Sequence, residues 1–106
     1  MAYSGREFKD FVRYLRTNLP APKPIKVQTK EKLKYLGATY HRKDDILIVI
    51  DRTQSAQVMI DTLIHEWAHA LSGTTTKEDS HPTQWGICYG RVYRAWVKFK
   101  YNLGEW

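Results

Sequence analysis

Between residues 5 and 19 the apolar positions Phe8, Phe11, Val12, Leu15 and Leu19 recur at helical spacing, with Arg6, Lys9, Arg13 and Arg16 around the other face. The pattern predicts an amphipathic helix. Ser4 with Glu7 three residues on has the form of a capping box, and the proline-rich run 20–24 ends the helix. Beyond it the period changes from helix to strand. Ile25 to Thr29 reads as a short strand, and Leu36 to Arg42 with Ile46 to Asp51 as a hairpin turning at Lys43-Asp44-Asp45. The run ILIVI (residues 46–50) is apolar at every position, which suits a strand buried on both faces. Two roles are open to it: an internal strand, or a sheet edge on which an extended peptide lies by β-augmentation.

The second half of the chain reads as two helices. Ser55 is placed to cap one that runs to Ser72 and closes at Gly73. Its apolar residues Val58, Met59, Leu63, Ile64, Trp67 and Leu71 cover a broad face, as in a central helix. A polar loop, 74–80, leads to Pro82, which suits the first turn of a helix reaching about Tyr101. Gly86 and Gly90, four apart on it, suggest close approach by another helix. The expected fold is α+β: an N-terminal helix, a small antiparallel sheet or hairpin, a central helix and a C-terminal helix. The 106 residues form one domain (1–106) with no repeat or linker.

Charge and composition narrow the classes. No apolar run reaches membrane-spanning length, and the charged N-terminus lacks a signal peptide's apolar stretch, so a cytoplasmic protein is expected. The single cysteine, Cys88, excludes an internal disulfide and a cysteine-rich zinc site. The net charge of +6 favours polyanions, nucleic acid among them. No Lys or Arg occurs from Thr53 to Thr76, while Lys23, Lys26, Lys30, Lys32 and Lys34 form one basic cluster and Arg91, Arg94, Lys98 and Lys100 another. That distribution fits a buried central element inside a positive exterior.

The central helix carries His65-Glu66-Trp67-Ala68-His69, an HExxH pattern. Residues four apart share a helix face, so both imidazoles can converge on one metal ion. Glu66, about 100° round the helix, is placed for proton transfer rather than ligation. A shuffled chain of this composition shows the pattern with roughly 0.7% frequency, and its place on a strong helix after a strand lowers the odds of coincidence further. Catalytic zinc usually takes three protein ligands and leaves a position open. His81, beyond the polar loop, is the preferred third ligand; Glu78 and Asp79 are the rival oxygen donors. Tyr89, Tyr93 and Arg91 are candidates to stabilise an oxyanion, and Asp61 to orient an imidazole. His41, in the hairpin, needs no special role. The metzincin pattern fails, because Ser72 stands where its glycine belongs.

Read together, LGATYHR, ILIVID, TLIHEWAHAL and HPTQWG make the stretch from Leu36 to Trp96 resemble the SprT-like zincin family, which includes the Spartan proteases. The resemblance implies a minimal zincin core and a zinc peptidase. His65, His69 and His81 would be its ligands, Glu66 its catalytic glutamate and Trp85 the aromatic after the third histidine. It differs in carrying Pro82 where the family has glycine, and in lacking the CxxC pair of the family's zinc ribbon. The implied partner is a protein or peptide substrate, associated with DNA in Spartan-type members. A non-enzymatic zincin-fold module and a nucleic-acid-binding protein with an incidental metal are the alternatives.

Overall fold

The computed structural model describes residues 5–74 and 82–101. Its elements run α1 (Arg6–Asn18), β1 (Ile25–Lys30), β2 (Gly37–His41), β3 (Ile46–Asp51), α2 (Ala56–Ser72) and α3 (Pro82–Lys100). The architecture is α+β.

The sheet departs from the expected antiparallel one, because it is mixed, in the order β1-β3-β2. β2 pairs antiparallel with β3 through the predicted hairpin, and β1 adds parallel to the other side of β3. The run ILIVI is therefore the central strand, hydrogen-bonded along both edges, and offers no edge to a peptide. Every residue of β3 except half-buried Leu47 is buried. Ile46, Ile48 and Ile50 face the helices and join the core with Phe11 and Leu15 of α1, Leu63, Ile64 and Trp67 of α2, and Val92 and Trp96 of α3. Each such side chain contributes about 1.5–3 kcal/mol on burial.

Local signals explain most boundaries. The Ser55 hydroxyl accepts from the Val58 amide and starts α2, and Gly73 in the left-handed region, φ 74°, ends it. α1 begins differently: Ser4 lies outside the described residues, Gly5 is the N-cap with no side-chain cap, and Glu7 instead accepts from Lys100 Nζ at 2.8 Å. That contact ties α1 to the end of α3. α2, which carries no Lys or Arg, is the buried helix, as the distribution of basic residues implied, and Trp67 anchors it by donating from Nε1 to the Leu19 carbonyl at 3.0 Å.

Gly86 and Gly90 are exposed, and a Cβ at either would meet nothing within 4 Å. No described element approaches α3 there. The close approach lies at Gly37, where β2 crosses α2: a Cβ would stand 2.6 Å from Thr62 Cγ2, 3.1 Å from the Val49 carbonyl oxygen and 3.3 Å from Glu66 Cγ. No described helix is long and apolar enough to cross a membrane.

Candidate metal centre

The HExxH run lies on α2, which puts His65 and His69 one turn apart on one face. Their Nε2 atoms are 3.2 Å from each other, with ring centroids 4.9 Å apart. Trp85, from the first turns of α3, covers both rings at 4.9 and 5.5 Å between centroids, and its Nε1 donates to the His65 carbonyl.

The other side of His69 is held by a hydroxyl relay built at the helix end. The left-handed turn at Gly73 reverses the chain, so the amides of Gly73 and Thr74 both reach the His69 carbonyl. Thr74 is thereby buried beneath the His69 ring. Ser72 Oγ donates to the His69 carbonyl at 3.5 Å, Ser72 and Thr74 share a hydroxyl contact at 2.7 Å, and Thr74 Oγ1 lies 2.9 Å from His69 Nδ1. In this position Thr74 Oγ1 can accept Nδ1–H of His69, the tautomer that would leave the His69 Nε2 lone pair free for a metal ion. Burial above all, then the neighbouring charges of His65 and His41, hold the His69 pKa down to about 4. His69 is neutral in the folded protein at any ordinary pH.

β2 supplies the remaining shell. Its odd-numbered residues face α2: Gly37 makes the close approach, Thr39 Oγ1 donates to Glu66 Oε1 at 2.6 Å and to the Glu66 carbonyl at 3.0 Å, and His41 Nε2 meets the Thr74 carbonyl at 2.9 Å. Glu66 is only 2% exposed. Its charge still reaches the strand's outer surface. The Tyr40 hydroxyl is held above its ordinary range mainly by its bond to Tyr35 and by burial, with smaller contributions from the charges of Tyr35 and Glu66.

The other predicted site residues are distributed unevenly. Tyr89 stacks on Trp85, and Tyr93 follows Tyr89 one turn further away; no described ring contact or hydrogen bond joins either of them, or exposed Arg91, to the imidazoles. Asp61 is exposed and accepts from Gln57 Nε2, so the imidazole partner found is Thr74 rather than Asp61. His81, Glu78 and Asp79 lie outside the described residues, among which no three His, Cys, Asp or Glu form a metal-ligating group. The sequence assigns no site role to Thr39, Thr74 or Ser72, and His41, considered there, is given none. The signal for Thr39 and His41 was strand alternation from Gly37, legible only once the face toward α2 is known.

No family model matches the chain, and no curated protein or solved structure does either.

Proposed function

We propose that the chain is a zinc-dependent peptidase of the SprT-like zincin type. In this reading His65, His69 and His81 hold the metal and Glu66 moves protons. One observation carries the reading: two Nε2 atoms 3.2 Å apart, with the Thr74 hydroxyl on the other ring nitrogen of His69. Two nitrogens sharing a tetrahedral zinc at the usual bond length stand about 3.3 Å apart. The spacing of His65 and His69 fits the ion.

Zinc, when bound, polarises a peptide carbonyl and makes a water acidic near neutrality. The chain's own residues do the rest. Imidazole ligands bind as neutral groups and would leave the full positive charge of the ion available. Glu66, steadied by the Thr39 hydroxyl, takes the proton of the attacking water and delivers it to the leaving amine.

A substrate position follows from the ladder. The amides of Asp51 and Arg42 bond to the carbonyls of Leu36 and Asp45, so the even-numbered residues of β2 face β3. Gly37, Thr39 and His41 turn their N–H and C=O groups outward, and no described hydrogen bond reaches them. An extended peptide on this edge lies directly beside Glu66.

Purified protein is expected to carry one zinc per chain and to cleave an unfolded protein. Chelation abolishes the cleavage and zinc restores it; failure to take up zinc ends the reading, and zinc uptake without cleavage moves it to the non-enzymatic module. Thr74→Val, which removes the acceptor for His69 Nδ1–H, is expected to weaken zinc binding about ten- to a hundredfold in a chelator competition. Metal-free protein provides a pH test. His69 falls from 6.5 in the unfolded chain to about 4 in the folded one. The unfolded state alone binds the proton in that window, so stability is full above pH 6.5 and declines as pH falls toward 4. Denaturant titrations across this range measure it.

A further inference from the structure

On the far edge of the sheet a cleft of about 740 Å³ separates α1 from β1. Phe8, Val12, Val27 and Met59 give it an apolar floor; Lys9, Arg13, Arg16 and Arg52 line it, and among the described residues no carboxylate does. The cations come from two distant parts of the chain. Lys9, Arg13 and Arg16 form one stripe of α1, spaced about 6 and 4.5 Å along the axis, and Arg52 faces them from the end of β3.

The strand edge inside this cleft is unlike that of β2. Ile46 N bonds to the Pro24 carbonyl and Arg52 N to that of Lys30, so Ile25, Val27 and Thr29 turn their backbone groups outward. Arg16 donates from Nε and Nη2 to the Ile25 carbonyl, and Arg52 donates from Nη1 to that of Thr29. Two of the three outward acceptors are consumed. What remains is a row of amide donors beside four cations. A peptide adding as a strand needs donors and acceptors in alternation and finds the acceptors taken. A chain of phosphates needs only donors and positive charge.

We propose that this cleft binds the phosphodiester backbone of a single-stranded nucleic acid, its bases and sugars over the apolar floor. The existing partners of the rim are weak: Arg13 meets Asp10 at 3.7 Å and Arg52 meets Glu31 at 3.6 Å, both exposed pairs that phosphate displaces. The lysine-rich segment after α1 is more committed, with Lys23 donating to the Arg42 carbonyl and Lys26 paired to Asp45. The site is independent of the zinc reading.

The test is fluorescence anisotropy of a labelled oligothymidylate of about 20 nucleotides with the full chain. Binding is expected to weaken with salt at a logarithmic slope of about −3, the value for four cations on a single strand. Lys9→Glu with Arg13→Glu changes two exposed side chains and should weaken binding at least about tenfold. Arg94→Glu with Lys98→Glu makes the same charge change on α3 and should alter it less than about threefold. No binding at low salt, equal loss in both pairs, or displacement by polyglutamate as effective as by unlabelled oligonucleotide overturns the proposal.

Discussion

Glu66→Gln is expected to lower peptide cleavage by about 10²–10⁴-fold while zinc content stays at the wild-type level. The separation follows from position. Glu66 sits between the two imidazoles in sequence but faces β2, where its Oε1 accepts the Thr39 hydroxyl at 2.6 Å. A glutamine oxygen accepts that same proton, so the buried contact survives. Removing a carboxylate that is 2% exposed leaves stability unchanged or raised. Kinetics, metal analysis and a thermal melt on one preparation check all three parts. Cleavage unchanged by the substitution removes Glu66 from the chemistry even if zinc is present. Loss of zinc along with activity would show instead that the side chain supports the ligands.

Gly37→Ala has the largest expected effect on stability. Its added methyl meets Thr62 Cγ2 at 2.6 Å, closer than carbon atoms tolerate, and neither neighbour gives way easily. Thr62 is β-branched with its hydroxyl bonded to the Val58 carbonyl, and the Val49 carbonyl belongs to the central strand. β2 must move off α2, at a cost of about 1–3 kcal/mol. A melt lowered by about 4–8 °C for each kcal/mol is the readout. Gly86→Ala and Gly90→Ala supply the opposite sign: both positions are helical and open, so each substitution should stabilise by about 0.5–1 kcal/mol. Because the added methyl would also stand 3.3 Å from Glu66 Cγ, the Gly37 variant should lose activity beyond what the fraction unfolded explains, whereas the α3 variants should not.

The two sheet edges illustrate how placement divides function. Each outer strand turns the backbone groups of three residues away from β3, and nothing in the sequence distinguishes the two edges. Arginines at positions 16 and 52 cover the carbonyls of one edge, while the other is left bare beside a glutamate. Blunting an edge with basic side chains also prevents unwanted strand pairing. That second benefit holds whatever binds in the cleft.

The helices and strands were legible from residue to residue, because their signals are local. Apolar spacing placed α1, an apolar run marked β3, and Ser55 with Gly73 bracketed α2 to within a residue. The pairing of His65 with His69 was legible for the same reason: a helical turn fixes the distance between residues four apart. What the sequence left open depends on which segments meet. Strand order required knowing that β1 adds to β3 in parallel, a contact between residues some 20 apart, and this order made ILIVI central rather than an edge. The glycine that matters proved to be Gly37 and not the pair on α3, since steric need is set by the opposing surface. Thr39 and Thr74 are ordinary polar residues until β2 and the Gly73 turn carry their hydroxyls to Glu66 and His69. Local propensity follows the order of side chains along the backbone; hydrogen-bond partners across a core follow only from folding.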